Sequence, residues 1–418
     1  MKKSTVVIGK AARVVARLRG GGSALPGLVV ERLDPNFLRN VLGDLPRGVV
    51  VISGTNGKTT TTKMVTELLR ASGLKVFTNR TGSNFTRGVV SAILGEIRGF
   101  RLDADIAVLE LDEAHAVQFI KQIQPTYTLL LNVLRDQMDR FGEIDSTARL
   151  LHEVAKATTK GVVLNRDDPL IAGIGQDLAI DVKFFGYAPD LAAKFPNDDE
   201  LRSESRESRV ESRADVELTT ILGRSASYKI DGKSYEASLR LGGAHNILNS
   251  VAALALARMV IGDDANNDQL VEALMHVKPA FGRGETITID GQGLELILVK
   301  NPSGFRLALA SQLKADAATM IAINDHYADG RDVSWLWDVD FRMLKNVTMV
   351  SGIRAYDMAL RLQYDDVKFD AIETNLKVAL DKFLTSEVNR PKQIFCTYTA
   401  MLRFRKMISK VAKVEEAL

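Results

Sequence analysis

Apolar residues along the chain gather into short unbroken runs separated by stretches of helical spacing. GVVVISG (48–54) is a continuous apolar run closed by glycine, which suits a strand buried on both faces of a parallel sheet. Residues 57–72 follow as a helix, with Met64, Val65, Leu68 and Leu69 one turn apart. KVFTN (75–79), DIAVLELDE (105–113), TYTLLLNV (126–133), GVVLN (161–165) and DVKFFGY (181–187) continue the strand series, with a helix expected over 114–122. A second series follows a boundary placed near 283–288: LELILV (294–299), ATMIAIN (318–324), VTMVSG (347–352) and QIFCTY (393–398), then a helix over 399–412. Strands alternating with helices define βαβ units and a mostly parallel sheet, so the fold class is α/β. Ligands of such sheets lie beyond the carboxyl ends of the strands, so the polar residues that follow each strand are the ones to inspect.

Three stretches depart from this rhythm. Residues 188–216 include LRSESRESRVESRADVE, rich in Ser, Arg and Glu, which buries little and reads as a solvated insert. SYKIDGKSYEASLRL (227–241) alternates like a strand pair around an Asp231-Gly232 turn, and 245–260 reads as a helix. The start, MKKSTVVIGKAARVVARLRGGGSALPG, has Lys10, Arg13, Arg17 and Arg19 interrupting its apolar residues. That excludes a signal peptide and predicts an amphipathic helix, which could also rest on a membrane surface. No stretch approaches the ~20 apolar residues of a membrane span. The expected organisation is an N-terminal segment 1–45, a middle domain 46–285 carrying the insert 188–216, and a smaller Rossmann-like C-terminal domain 286–418.

Composition narrows the classes of function only slightly. Lys plus Arg is 55 against 52 Asp plus Glu, a net +3, and no basic run tracks a polyanion, so no nucleic-acid partner is expected. The one cysteine, Cys396, excludes an internal disulfide and a cysteine-rich metal site. It sits within the apolar run QIFCTY and reads as a buried structural thiol.

The strongest chemical signal is Gly54-Thr55-Asn56-Gly57-Lys58-Thr59-Thr60, directly after a strand and opening a helix. Glycines let backbone amides converge on phosphate oxygens, and a helix N-terminus adds positive potential. Lys58 would bridge the terminal phosphates of a nucleotide and Thr59 would offer its hydroxyl to Mg²⁺. Ser53 stands where the general pattern has its first glycine, so the loop is a variant. Glu110, Asp112 and Glu113 close a later strand, where a triphosphate's metal ion finds protein oxygens.

GTNGKTTT after an apolar strand resembles the ATP signature of the Mur ligase and folylpolyglutamate synthase superfamily. The resemblance implies a Mur ligase middle domain, ATP as cofactor, and Glu110 as the metal ligand. Asn165, Asp167 and Asp168 in VVLNRDDP resemble the family's nucleotide-contacting motif, although the run alone reads equally as a helix cap. Ala244-His245-Asn246-Ile247-Leu248-Asn249 resembles the HN-x-x-N segment, where a helix start meets the adenine, and His245 and Asn246 could serve the base or the helix end. Phe281-Gly282-Arg283-Gly284-Glu285 resembles the stretch between the middle and C-terminal domains, with Arg283 set to hold charge on the transferring phosphoryl group.

Other segments resemble the MurT family within that superfamily: RDQMDRFGEID, with Asp136 followed by Gln137; Lys300-Asn301-Pro302-Ser303-Gly304-Phe305; and NDHYADGRDVSWLWD (324–338). This resemblance covers roughly residues 8–400. It implies an ATP-dependent carbon–nitrogen ligase that amidates the α-carboxylate of D-glutamate in the lipid II stem peptide through an acyl phosphate. The ammonia would come from a GatD-type glutaminase subunit. It places Asn301 with the nucleotide-binding residues and Lys58 and Arg283 in catalysis. An aspartate of the C-terminal domain would complete the partner's triad, Asp332 by best match and Asp329 as second choice. A cytoplasmic location follows, with lipid II met at the inner face of the membrane. Many members carry two C-x-x-C pairs as a zinc ribbon; this chain has neither, and no zinc is expected. The competing readings are an amino-acid-adding ligase of the Mur or folylpolyglutamate type, against which the DGRDVSWLWD loop stands, and an idle nucleotide-binding scaffold, against which the Lys58, Thr59 and Glu110 set stands.

Overall fold

The structure, a computed structural model, describes residues 2–18, 24–79, 85–134, 144–195, 213–278, 283–289, 291–386 and 390–412, without the side chains of 17, 18, 24 and 283–286. It divides into two compact units. The first comprises Met1–Leu134, Glu143–Arg240 and Ala244–Lys278; the second comprises Arg135–Gly142, Leu241–Gly243 and Pro279–Leu418.

The first unit is built on strands β1 (Val49–Ser53), β2 (Val76–Thr78), β3 (Ile106–Glu110), β4 (Tyr127–Leu130), β5 (Gly161–Asn165), β6 (Asp181–Tyr187), β7 (Val216–Leu222), β8 (Ser225–Ile230) and β9 (Lys233–Ser238). They form one sheet in the order β2-β3-β1-β4-β5-β6-β7-β8-β9, parallel from β2 through β7 and antiparallel over β7, β8 and β9. The two patterns of burial follow from the pairing. β1, β3 and β5 are buried at every position, as strands covered by helices on both faces must be, whereas β8 alternates buried and exposed residues. The β8–β9 turn is the expected two-residue loop, with Asp231 at φ 50° and Gly232 at φ 80°, the left-handed pair that matches strand twist.

Its helices are α1 (Lys3–Leu18), α2 (Ala24–Leu33), α3 (Phe37–Leu42), α4 (Lys58–Ala71), α5 (Thr86–Glu96), α6 (Glu113–Ile120), α7 (Ile144–Lys156), α8 (Pro169–Ile174), α9 (Ala244–Ile261) and α10 (Asn267–His276). The amphipathic start is a helix, as expected. It shares a core with the first unit: Val6, Val30, Phe37 and Leu42 pack with Val89, Ile93 and Leu109. One expectation is corrected. The run Ala244–Asp264 is long and apolar enough, by length and composition, to cross a membrane. The run is apolar all round because it is a core helix, packed on α4, β5, β6 and β7 with two-thirds of it buried. Within the stretch 188–216, Pro189–Lys194 forms a 3-10 helix and residues 196–212 lie outside the described residues.

The second unit carries β10 (Arg283–Ile289), β11 (Gln292–Leu298), β12 (Ala318–Ala322), β13 (Asn346–Val347), β14 (Met349–Ser351), β15 (Lys368–Phe369), β16 (Ile372–Glu373) and β17 (Lys392–Cys396). The main sheet runs β10-β11-β17-β12-β14-β16, parallel except for the antiparallel edge strand β10. The expected strand 347–352 is split, because Val347 pairs with β15 in a separate two-stranded ribbon while Met349–Ser351 pairs with β12. Helices α11 (Pro302–Gln312), α12 (Ala355–Tyr364), α13 (Leu376–Thr385) and α14 (Tyr398–Ile408) cover the sheet. One face packs Phe305, Trp335, Phe341 and Phe395, and the other packs Leu296, Met320, Phe383 and Phe404. Cys396 is fully buried, and burial together with the nearby Asp329 carboxylate pushes its thiol above the usual range.

Candidate active site

In the first unit, strand register brings the chemistry together. Ile52 of β1 stands opposite Glu110 of β3, and Ser53 stands opposite Leu130 of β4. The segments that leave β1, β3, β4 and β5 therefore emerge side by side at one sheet edge.

The glycine loop occupies that edge. Gly54 (φ 127°) and Gly57 (φ 90°) take backbone conformations open to glycine. A Cβ on Gly54 would lie 3.0 Å from the backbone of Asn132, and one on Gly57 would lie 2.4 Å from Asn249 Oδ1. The loop is braced from the end of β4: Thr55 N donates to Asn132 O (2.9 Å), and Asn56 N donates to Asn132 Oδ1 (2.8 Å). Leu134 N donates to Thr55 Oγ1 at 3.0 Å. Gly57 caps α4, so the first amides of that helix face the loop.

Lys58, Thr59 and Thr60 open α4 and are all buried. Lys58 Nζ donates to Gly54 O and Thr55 O and pairs with Glu113 at 3.5 Å. Thr59 Oγ1 donates to Glu110 Oε1 at 2.8 Å. Glu110 is held in turn by Asn79, which exchanges two hydrogen bonds with its backbone (2.8 and 2.9 Å). Two hard oxygen donors thus meet beside a buried cation at the mouth of a glycine loop.

Asn165 and Asp168 tie the neighbouring strand ends together. Asn165 Nδ2 donates to Leu131 O (2.9 Å) and Asn165 Oδ1 accepts from Asp167 N (3.0 Å). Asp168 accepts from Leu170 N and Ile171 N as the cap of α8, and from Val133 N at 2.7 Å. It is a cap that also fixes the end of β4. His245 and Asn246 lie in the first turn of α9, and Asn249, one turn on, is the residue that crowds Gly57. The HN-x-x-N segment and the glycine loop are therefore neighbours.

The second unit holds the remaining candidates. Asn301 caps α11, accepting from Gly304 N at 2.7 Å. Asp329 is buried, and its carboxylate accepts from Thr399 N (2.7 Å), Thr399 Oγ1 (2.5 Å) and His326 N (3.1 Å). It braces the loop after β12 against the start of α14. Asp332 is exposed and accepts from Ser334 N at 2.8 Å, the start of a 3-10 helix over Ser334–Asp338. The two tryptophans divide: Trp335 is core, whereas Trp337 is half exposed and meets Tyr364 edge-on at 5.2 Å. Tyr356, Leu360 and Tyr364 repeat at four-residue spacing on α12 and are exposed. Arg283 begins β10 and its side chain lies outside the described residues, as does the segment 135–143 with Asp136 and Gln137.

One contributor, Asn79, and one pairing, Glu113 with Lys58, go unread in the sequence. Asn79 follows directly on β2, so inspection of every strand end would have found it. The pairing of Glu113 with Lys58 comes from distant parts of the chain, and no spacing rule reports it.

The fold is shared with solved Mur ligases. MurF from Acinetobacter baumannii is 19% identical with a TM-score of 0.68, covering 93% of this chain and 81% of that one. MurF ligase from Thermotoga maritima, solved in complex with ADP, is 18% identical with a TM-score of 0.67, covering 91% and 84%. Residues 52–257 match the Mur ligase middle domain, and residues 298–401 match the MurT ligase C-terminal domain. Fold and glycine loop together define an ATP-dependent ligase of the Mur type. Within that class the chain belongs to the MurT family. The lipid II isoglutaminyl synthase (glutamine-hydrolyzing) subunit MurT of Streptococcus pneumoniae (strain ATCC BAA-255 / R6) is 30% identical over 440 residues, covering 97% of this chain and 96% of that one. Its namesake in Staphylococcus aureus (strain COL) is 28% identical over 402 residues, covering 89% and 90%.

Proposed function

We propose that this chain is the synthetase subunit that amidates the α-carboxylate of D-glutamate in the lipid II stem peptide, giving D-isoglutamine. The observation that carries the reading is the buried Thr59–Glu110 pair, 2.8 Å apart, beside Lys58 at the glycine loop. A carboxylate resists attack by ammonia because it is anionic and has no leaving group. Transfer of the γ-phosphoryl group of ATP to a carboxylate oxygen supplies one; ammonia then attacks the carbonyl carbon and phosphate departs.

The donor set fits Mg²⁺, which takes oxygen ligands and is commonly held by one or two protein groups together with phosphates and water. Thr59 and Glu110 would hold it; when bound, it neutralises charge on the phosphoryl oxygens. Gly54 and Gly57 present backbone amides to the phosphates, and Lys58 exchanges the loop carbonyls for phosphate oxygens. Asn165, Asp168, His245, Asn246 and Asn301 complete the proposed nucleotide set, and Arg283 is proposed to counter charge on the group in flight.

Ammonia is proposed to come from a GatD-type glutaminase subunit, in keeping with the subunit names of the relatives. Asp332 is the residue offered to that partner's histidine, to orient the imidazole and stabilise its charged form. Its exposure supports this, and so does the aromatic surface of Trp337, Tyr356 and Tyr364 in the same unit, a composition typical of interface anchors. Asp329 is committed to three internal hydrogen bonds. A lipid-linked acceptor places the work at the cytoplasmic face of a membrane.

Oxygen transfer tests the acyl phosphate directly. With ammonium and an acceptor labelled with ¹⁸O in the glutamate α-carboxylate, one label should appear in the phosphate released. Unlabelled phosphate would remove the acyl-phosphate step. Amide formation only when an amino acid is supplied would move the amino-acid ligase reading to the front.

A further inference from the structure

Helix α1 has two opposed apolar faces, and among the described residues one of them is buried against the first unit and the other is exposed. Thr5, Val6, Gly9 and Ala16 are buried. At Gly9 the approach to α2 and α5 is so close that a Cβ would lie 2.7 Å from Val30 and 2.8 Å from Leu94. The other face carries Val7, Ile8, Ala11, Val14 and Val15, at positions i, i+1, i+4, i+7 and i+8, all exposed. At 100° per residue these fall within about 120° of the circumference, a continuous stripe. Val7 is 60% exposed and Val14 57%, unusual for β-branched apolar residues arranged in register.

The charge around the stripe identifies what covers it. Lys2, Lys3, Lys10 and Arg13 are basic, as in sequence are Arg17 and Arg19, whose side chains lie outside the described residues, and the first acidic residue of the chain is Glu31. Helical spacing puts Lys3 and Lys10 beside the Val14 edge of the stripe, where Lys3 lies over the Phe100 ring at 5.4 Å and Lys10 donates to Ile97 O at 2.9 Å. A second copy of the chain would bring these cations against an identical set. An anionic lipid surface complements both the apolar stripe and the basic margin, which is the arrangement of helices that lie in a membrane interface.

We propose that α1 is a membrane-docking helix, seating the Val7–Ile8–Val14–Val15 face in the acyl boundary of an anionic bilayer. This gives the lipid-linked acceptor of the proposed function a physical route to the enzyme. That reading supplies its purpose, whereas the stripe and its charge stand independently of it. One interfacial helix binds reversibly, and each basic residue at an anionic surface adds about fivefold to the partition.

The test is co-sedimentation of the full chain, tagged only at its C-terminus, with vesicles free of lipid II. Vesicles of phosphatidylcholine alone are compared with vesicles of equal parts phosphatidylcholine and phosphatidylglycerol. The expected result is at least tenfold stronger partition onto the anionic vesicles, weakened by salt, and on the order of tenfold lower in Val7→Asp/Val14→Asp. That double variant should keep the wild-type melting temperature, because both side chains face solvent. Equal partition of the variant and the wild type, or no partition of either, would overturn the proposal. So would a wild-type oligomer in size-exclusion chromatography that the variant abolishes, since the stripe would then be a self-association surface. None of these outcomes bears on the amidation chemistry, which is measured without vesicles.

Discussion

Thr59 Oγ1 and Glu110 Oε1 stand 2.8 Å apart although 51 residues separate them, because β1 and β3 are adjacent and in register. The pair is buried, and the Asn79 side chain fixes the Glu110 backbone from the next strand. Removing the carboxylate charge removes a proposed metal ligand without changing side-chain volume. Glu110→Gln is therefore expected to lower ADP formation by at least about 100-fold, the scale of a metal's charge stabilisation. It should also raise the Mg²⁺ concentration needed for half-maximal activity. Unchanged Mg²⁺ dependence would place the metal elsewhere.

Gly57 makes a sharper steric prediction. Its φ of 90° disfavours any side chain, and a Cβ would stand 2.4 Å from Asn249 Oδ1. Gly57→Ala should weaken ATP binding and destabilise the unit by roughly 1–3 kcal/mol, read as a fall in melting temperature. Adding Asn249→Ala removes the clash but not the backbone strain. The double variant should recover only part of the loss, which a thermodynamic cycle on nucleotide binding would measure.

These two sites show what the sequence could and could not reveal. β1, β3 and β5 were legible because strands buried on both faces are unbroken apolar runs, and the glycine loop was legible because strand, glycines, lysine and helix are contiguous. Helix α5 and the antiparallel strand β10 went unread; α5 lies behind a polar stretch, and β10 alternates only weakly across Gly284 and the threonines. Run Ala244–Asp264 was underestimated because its alanines dilute the hydropathy that a core helix shares with a membrane span. Asn132 braces the loop, Asn79 holds the Glu110 backbone and Asn249 crowds Gly57, each from a different part of the chain, and such convergence exists only in the folded chain.

Asp329 and Asp332 are three residues apart and do different things. Asp329→Ala leaves two half-buried donors of Thr399 and one of His326 without their acceptor, and should cost about 1–3 kcal/mol in a denaturant melt. Asp332→Asn touches one exposed turn and should leave stability within about 0.5 kcal/mol. With the glutaminase partner present, it should abolish amidation driven by glutamine while amidation driven by ammonium persists. Loss of both would assign Asp332 to the synthetase step instead.

Alkaline pH should destabilise the fold. Burial pushes the Tyr228 hydroxyl up to about 12, opposed by its hydrogen bond with Ser250, and burial raises the Cys396 thiol as well. Both groups lose a proton more readily when unfolded, so their contributions are complete below their unfolded pKa values and decline as pH rises. For Tyr228 the loss spans about pH 10 to 12 and amounts to roughly 2–3 kcal/mol. For Cys396 it begins near pH 9. Urea melts across this range should show the decline, and Tyr228→Phe should flatten its upper part. A thiol reagent at pH 8 should modify Cys396 only after unfolding.

The central claim is that this chain alone carries the ATP-dependent amidation. The direct measurement is mass spectrometry of lipid II after incubation with the purified chain, ATP, Mg²⁺ and ammonium, with no partner present. The account predicts a product lighter by about one mass unit, the exchange of OH for NH₂ at an activated acyl group, formed in step with ADP. ADP formation with the acceptor mass unchanged would contradict it.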